Sequence, residues 1–318
     1  MTWTLLVGLS ACTGGGETLD TAPEATVTPY IYEQDEPVAP ALSPAEVELA
    51  ATEVLASLLE LNAAPIVDAY FLAMAGQQGD CPDYYQNDGN VYWYDYCYAD
   101  DGSYFSGYGF GYLYEDTAAD GYLYNGGAVY TVAEVTTSQG YTFSGGGNAQ
   151  ALVATADMES GAHAVPHTIY SSVVSGAFAY DGPSAAGTWL ESALTPDLTL
   201  YSYRIPENEI YPGYYGTVMQ ANGGVGGFVG EVSAAVLDSF TVMTSPLTAC
   251  PVEPAGMLSV RDTEGVWYDI LFDNTTEEGE TMDPDLCDGC GTIYVQGEAA
   301  GEACVDTSVL TAWEVSPW

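Results

Sequence analysis

The first periodic pattern of apolar residues along the chain predicts two helices. Ser43, Pro44 and Glu46 form a capping box with proline at the first helical position. Apolar residues then recur at helical spacing, at Val47, Ala51, Val54, Leu58 and Leu61. Pro65 restarts a shorter helix that runs toward Gly76. The pattern predicts a helical pair over residues 43–76 that covers one face of a sheet.

From Cys81 onward the period changes to two, which is typical of strands. Between Tyr104 and Tyr114 one face collects aromatic rings and the opposite face collects glycines. Bare glycines allow a helix or a second sheet to approach closely. Further strands are expected near 91–98, 122–135, 141–154, 168–180, 198–204, 215–220, 228–243, 257–261, 266–272 and 291–296. Turns are expected at Asp181-Gly182-Pro183 and Thr263-Glu264-Gly265.

These patterns predict a mainly β protein, an extended antiparallel sheet or meander with an N-terminal pair of α-helices. The sheet is expected over residues 77–318, as one β domain. Composition agrees with this expectation, because 26 tyrosines and 36 glycines in 318 residues suit a sheet better than a helical protein. With 47% hydrophobic residues, the chain also has enough apolar material for a core.

A short motif recurs in the first half of the predicted sheet. Gly102, Gly121 and Gly140 follow one another at intervals of 19 residues, and an aromatic residue and a second glycine follow each at fixed offsets. Over residues 101–147 this pattern weakly resembles the turn of MORN repeats, which stack short hairpins into an elongated sheet. The resemblance implies a regular antiparallel meander in which each unit buries its face against its neighbours.

The cysteines predict disulfides. Setting Cys12 aside leaves six, namely Cys81, Cys97, Cys250, Cys287, Cys290 and Cys304. Cys81 and Cys97 flank a hairpin that turns at Gly89, so they are expected to pair, with about 3 kcal/mol gained from closing the loop. The other four allow three pairings. A thioredoxin-like redox pair at Cys287 and Cys290, or a zinc site, are weaker alternatives.

The first residues resemble a bacterial lipobox, with Leu9, Ser10, Ala11 and Cys12 after an apolar run. That resemblance implies a signal peptide over 1–11 and a lipidated Cys12. The segment is short and has no basic residue, which a start assigned too late would explain. Residues 12–42 are acidic, proline-containing and aperiodic, so we expect a disordered tether. Thr13 after the cysteine favours the outer membrane as the site of anchoring.

The excess of acidic residues excludes several kinds of ligand and reaction. Asp plus Glu number 45 against 2 Lys plus Arg, which gives a net charge of −43, and Arg204 and Arg261 are the only permanent cations. There is thus no basic surface for nucleic acid or an anionic membrane, and no lysine for Schiff-base or phosphate chemistry. Such an excess of acid repels itself at low salt and suits a saline habitat.

Acidic loops raise the possibility of bound calcium. The candidate ligands are Asp100, Asp101, Asp283, Asp285 and Asp288, although no stretch has the EF-hand spacing and solvated acidic turns are the simpler interpretation. His163 and His167 lie four apart, as two metal ligands on a helix would, but Pro166 argues against that helix. On a strand they would still share a face.

The sequence therefore predicts a lipid-anchored cell-envelope protein that is not an enzyme, either a surface scaffold or a module that binds a glycan or a protein. The alternative is a carboxylate-based hydrolase of polysaccharides, since paired acids support glycoside hydrolysis and tyrosine-rich faces stack sugars. Salt adaptation is a third explanation of the acid content.

Overall fold

The structure is a computed structural model. It describes residues 39–60, 63–64, 67, 81–87, 90–117, 123–136, 138, 140, 142–160, 163–183, 189–207, 215–226, 228, 232–244, 254–272 and 288–314. The predicted signal peptide, Cys12 and most of the predicted tether lie outside these residues.

One antiparallel sheet contains every described strand. Its strands are β1 Tyr84–Asn87, β2 Asn90–Tyr98, β3 Tyr104–Thr117, β4 Leu123–Thr136, β5 Thr142–Ser160, β6 His163–Pro183, β7 Trp189–Ile205, β8 Gly216–Gly226, β9 Val232–Thr244, β10 Ala255–Asp262, β11 Trp267–Phe272, β12 Cys290–Val295 and β13 Glu298–Cys304. The 13 strands lie in sequence order, each paired with its neighbours in the chain. The predicted antiparallel meander is confirmed.

Helix α1, Pro44–Glu60, begins where the capping box predicts. The backbone N–H and the hydroxyl of Ser43 both donate to Oε2 of Glu46, each at 2.7 Å, and the Glu46 N–H returns a bond to the Ser43 hydroxyl at 3.4 Å. These bonds, the backbone one first, hold the pKa of Glu46 below its usual value. The box satisfies amide groups that have no partner within the first helical turn.

The buried stripe of α1 faces the sheet. The helical residues that follow α1 along the chain lie against the same sheet. Val47, Ala51, Val54 and Leu58 are all buried. The Cys304 N–H at the end of β13 donates to Glu48 at 2.9 Å. Farther along, Ala63, Ala64 and Val67 are also helical and buried, and the Ala63 N–H donates to Ser172 of β6 at 2.7 Å. The prediction that helical segments cover one face is confirmed here, while most of residues 61–76 lies outside the described part.

Small side chains mark the face on which the helical residues lie, which we call the inner face. Paired positions run across the sheet from Gly127 through Ala151 to Ser172, in strands β4, β5 and β6. A methyl group at Gly127 would lie 2.7 Å from Cγ1 of Val67. The row continues through Leu200, Ala221 and Phe240, all of them buried. A helical residue thus closely approaches a glycine of β4, whereas the sequence predicted such an approach over the glycines of β3.

Residues 41 and 42, which lie within the predicted tether, contact the sheet. The N–H groups of Ala41 and Leu42 donate to the hydroxyl of Tyr268 at 2.9 and 3.0 Å. That hydroxyl in turn donates to Asp262 at 3.1 Å, and Asp262 also accepts the Val266 N–H at 2.8 Å. Burial raises the pKa of Tyr268. Residues 41–42, assigned to the tether from composition, therefore dock on β11.

The recurring motif has a clear register. Phe105 of β3, Val135 of β4 and Phe143 of β5 form one cross-strand row. Gly102 and Gly140, which precede β3 and β5, both have positive φ, 90° and 85°. Two motif lengths thus return the chain to an equivalent position two strands away. The likeness to MORN repeats stays a prediction.

Two expectations about the strands fail. Asp181, Gly182 and Pro183 do not form a turn, because β6 extends through them and pairs with the beginning of β7, at Glu191, Leu190 and Trp189. Strand β13 was not foreseen, since its sequence EAAGEAC lacks apolar alternation. It is an edge strand that is mostly exposed, so burial imposes no pattern on it. The turn at Thr263-Glu264-Gly265 is confirmed.

A short C-terminal helix, α2 Ser308–Thr311, is held to the sheet by Arg204 of β7. The guanidinium donates to Glu314 at 2.6 Å, to the carbonyl of Thr311 at 2.9 Å and to the carbonyl of Trp313. It also lies 5.0 Å from the ring centroid of Tyr170. One of the chain's two arginines is thus committed to closing the fold.

Candidate binding surface

The outer face of β2 carries tyrosine at every second position. Tyr92, Tyr94, Tyr96 and Tyr98 alternate along β2 with positions on the inner face, where Trp93 is buried. Tyr94, Tyr96 and Tyr98 are 80%, 67% and 69% exposed. Side chains of this size are rarely left in water in a row, so the alternation that builds the sheet also builds an aromatic surface.

The neighbouring strands extend this surface. Tyr85 of β1 is opposite Tyr92, and Tyr92 is opposite Phe110 of β3. Phe110 is opposite Tyr130 of β4. We call the whole set the aromatic platform: Tyr85, Tyr92, Tyr94, Tyr96, Tyr98, Tyr104, Tyr108, Phe110, Tyr112 and Tyr130. It lies on the face opposite to Gly127 and the helical residues, since Tyr130 and Gly127 are an odd number of residues apart on β4.

The rings of the platform contact one another. Tyr92 stacks on Phe110 with centroids 4.6 Å apart, and Tyr98 lies 4.8 Å from Tyr104. Tyr108 and Tyr130 are 6.0 Å apart, and their hydroxyl oxygens share a hydrogen bond of 3.4 Å. Such pairs restrict side-chain rotation, so a ligand would meet rings that are already ordered.

A rigid layer lies under the platform. Trp93 and Phe105 pack edge to face on the inner side, with centroids 6.0 Å apart. The disulfide between Cys81 and Cys97 joins a position three residues before β1 to β2, as the sequence predicted. The platform therefore stands on a cross-linked hairpin rather than on a free loop.

The platform is uncharged at neutral pH. The hydrogen bond to Tyr130 raises the pKa of Tyr108, which keeps that phenol protonated well above neutrality. Both arginines lie elsewhere: Arg204 holds the C-terminal helix, and Arg261 of β10 lies 6.0 Å from the ring of Trp267. Glu134 of β4 is exposed and is opposite Ser106 on the same face, so the border of the platform carries a negative charge.

The predicted calcium ligands are not brought together in the described part of the chain, where no group of three or more His, Cys, Asp or Glu could hold a metal ion. Asp101 accepts the Ser103 N–H at 2.9 Å, a bond that lowers its pKa, and Asp100 is exposed beside it. Asp288 accepts the Cys290 N–H at 3.0 Å. Asp101 and Asp288 thus each accept an amide two residues further along the chain. Asp283 and Asp285 lie outside the described residues.

The structure shows the pairing of two of the four remaining cysteines. Cys290 and Cys304 form a disulfide between β12 and β13, where they are directly paired. The alternative of a redox pair at Cys287 and Cys290 is therefore wrong for this state, because the Cys290 sulfur is bonded to Cys304. Cys250 and Cys287 lie outside the described residues.

The two histidines lie on one strand, β6, and not on a helix, in agreement with the argument from Pro166. His167 is buried, with its ring 5.5 Å from that of Tyr203. Two buried carboxylates also occur in β10 and β11. Asp262 accepts hydrogen bonds from the Tyr268 hydroxyl and from the Val266 N–H. Asp269 accepts the Ser259 hydroxyl at 2.6 Å, and burial raises the pKa of Asp269.

The sequence predicts the aromatic face of β3 and a strand near 91–98, but the tyrosines of that second strand were not predicted to belong to a site. The signal was present as YWYDYCY, where tyrosines occupy four alternate positions from 92 to 98. Comparison of the chain with known protein families, with characterised proteins and with solved structures found no match. Within the described residues, no helix is both long enough and apolar enough to cross a membrane.

Proposed function

We propose that this protein is a lipid-anchored, non-enzymatic binding protein of the cell envelope, with the aromatic platform as its contact surface. The observation that carries the proposal is the contiguous, exposed and ordered set of rings on β1–β4. Exposed aromatic patches of this kind mark interaction sites in soluble proteins. The exposed aromatic patch therefore favours a binding protein over a passive scaffold.

Export and anchoring are supported by the lipobox-like residues that end at Cys12 and by the two disulfides. Disulfides persist mainly outside the cytoplasm. Metabolic labelling with a radioactive fatty acid tests the anchor. Label on the full chain that is lost with Cys12→Ser supports it, and equal labelling of the two chains would contradict it.

The alternative of a carboxylate hydrolase receives no support from the described residues. The two buried carboxylates there, Asp262 and Asp269, are engaged by Tyr268, Val266 and Ser259. Each has a structural explanation, so neither recommends itself as a general acid.

The binding proposal is tested with the full chain carrying Cys12→Ser, which removes the lipid as a cause of sedimentation. Insoluble envelope material from the producing cells is spun down with this chain and with a version that also carries Tyr94→Ser, Tyr96→Ser and Tyr98→Ser. We expect co-sedimentation of the first and at least a tenfold weaker retention of the second. Tyr215→Ser is the matched control, because Tyr215 is 37% exposed but precedes β8, away from the platform. Equal retention of all three chains would overturn the proposal.

A further inference from the structure

The outer tyrosines of β2 form a long and flat contact surface. Alternate residues of a strand are about 6.8 Å apart, so Tyr92 to Tyr98 spans about 20 Å, and the four strands from β1 to β4 span about 14 Å. A sheet face has no end walls. Its shape suits the middle of an extended chain of several units better than a single small molecule.

The chemistry of the surface is almost entirely phenol. Its described members are tyrosines with one phenylalanine, and Val132 is the exposed aliphatic residue beside them. Each tyrosine offers an apolar ring and a hydroxyl that can both donate and accept. A sugar ring has the complementary arrangement, with an apolar C–H face and hydroxyl groups around its rim.

The negative charge of the protein disfavours polysaccharides that carry carboxylate or sulfate groups. The protein has a net charge of −43 and both of its arginines are engaged in the fold, so no cation is available to pair with a carboxylate or sulfate on the ligand. The exposed Glu134 at the border adds local repulsion. The same repulsion opposes the docking of a second copy of this chain, whose platform has the same sign of charge.

A protein partner fits the surface less well. Protein interfaces draw on Met and Arg as well as aromatic residues, and a partner for so acidic a chain would be recognised through carboxylates at the contact. The platform itself has neither arginine nor methionine nor any acid among its defined members. Its uniform, uncharged phenols match an uncharged ligand.

We propose that the aromatic platform binds an uncharged polysaccharide along its length, with sugar rings lying on Tyr94, Tyr96 and Tyr98. This inference rests on the proposed function and assigns its ligand class. The ligand chain lies on the face opposite to α1, so binding leaves the helical side of the sheet unchanged. Because no charge is involved, affinity is expected to be insensitive to salt.

Affinity electrophoresis tests this inference directly. The full chain with Cys12→Ser is run in native gels that contain hydroxyethylcellulose, laminarin, soluble starch or galactomannan, and in gels that contain the anionic polymer alginate. We expect at least one neutral polymer to reduce mobility twofold or more, with no effect of alginate. The triple variant Tyr94→Ser, Tyr96→Ser and Tyr98→Ser should migrate as in an empty gel, while Tyr215→Ser should be retarded like the parent.

The outcomes separate the two proposals. If no neutral polymer retards the chain, or if the triple variant is retarded equally, the polysaccharide inference is wrong. If sedimentation with envelope material nevertheless depends on the three tyrosines, the binding function stands with a ligand of another class. A dimer in analytical ultracentrifugation that the triple variant abolishes would identify a second copy as the occupant and would also overturn the inference.

A second readout uses oligosaccharides of the polymer that binds. Tyrosine fluorescence titration should give at least tenfold tighter binding for a hexasaccharide than for a disaccharide, because the longer chain covers several rings. The dissociation constant should change less than twofold between 0.1 and 1 M sodium chloride. Binding that weakens tenfold over this salt range would point to an ionic ligand and contradict the inference.

Discussion

Val67 contacts the sheet at Gly127, and there is no room for a methyl group between them. A Cβ at Gly127 would lie 2.7 Å from Cγ1 of Val67 and 2.8 Å from Cδ2 of Leu113. The glycine is thus required by the approach of the helical residues and not by its own backbone, since its φ is not positive. This separates it from Gly102 and Gly140, which stand in turns.

Gly127→Ala is expected to lower the free energy of unfolding by about 1–3 kcal/mol, the usual cost of overpacking. Chemical denaturation measures it. Adding Val67→Ala should recover part of the loss, because the shorter side chain makes room for the new methyl. Gly224→Ala is the matched control, since a Cβ there would make only ordinary contacts at 3.4 Å. Equal losses at Gly127 and Gly224 would contradict the contact.

The two described disulfides should each contribute about 3 kcal/mol. Both close loops of similar length, with separations of 16 residues for Cys81–Cys97 and 14 for Cys290–Cys304. Replacing either pair by serine should lower the midpoint of unfolding to a similar extent. Non-reducing peptide mapping checks the pairing independently, and a peptide linking Cys287 to Cys290 would show that the assignment is wrong.

Arg204 is expected to stabilise the protein mainly through the backbone carbonyls it binds. Arg204→Met should lower the free energy of unfolding by about 2–3 kcal/mol, since two partly buried carbonyl groups lose a charged donor. Glu314→Gln should change it by less than about 1 kcal/mol, because the Glu314 side chain is 61% exposed and the ion pair is screened. A loss with Glu314→Gln as large as with Arg204→Met would show that the ion pair dominates.

Asp269 should make the protein less stable as pH rises. Burial raises its pKa in the folded state, so folding favours the protonated acid, and this contribution is present below the ordinary pKa and lost as pH rises through the folded value. Asp269→Asn keeps an acceptor for Ser259 and removes the titration. Thermal unfolding of both proteins from pH 3 to pH 7 should show the variant gaining on the parent with increasing pH. A constant difference would mean that Asp269 does not titrate in this range.

Salt should stabilise the fold without preference for the cation. A chain with 45 acids and 2 bases repels itself, and screening shortens the range of that repulsion from about 10 Å at 0.1 M to about 3 Å at 1 M. Melting temperature should rise alike in sodium chloride and choline chloride of equal ionic strength. A much larger rise in calcium chloride matched for ionic strength would instead indicate a specific site, and would direct attention to Asp283 and Asp285.

Local patterns were sufficient for much of this fold. The capping box at Ser43 and Glu46, the alternation of β3 and the pairing of Cys81 with Cys97 depend on neighbours within about one element, so sequence spacing determines them. The partner of Cys290 could not be chosen, because it depends on the existence of β13, which has no apolar pattern. The sequence predicted only part of the platform for a similar reason. The tyrosines of β2 and β3 form one surface only through the register between the two strands.

The bond between Tyr268 and the residues ahead of α1 belongs to the same class. Leu42 and Tyr268 are 226 positions apart, and nothing in the sequence near either one indicates the other. Composition therefore placed residues 41–42 in the tether. Long-range hydrogen bonds of this kind follow from the completed sheet and cannot be inferred before it.

The order of the strands has a consequence for how the chain acquires its structure. Because each strand pairs with the one made just before it, the sheet can grow from β1 in the direction of synthesis, without waiting for distant segments. Helix α1 does depend on a distant segment, because its Glu48 accepts the Cys304 N–H on the last strand. A chain that stops before residue 298 would fold most of its sheet yet leave that flank of α1 bare. The contact between Glu48 and the Cys304 N–H can thus form only after β13 has been synthesised.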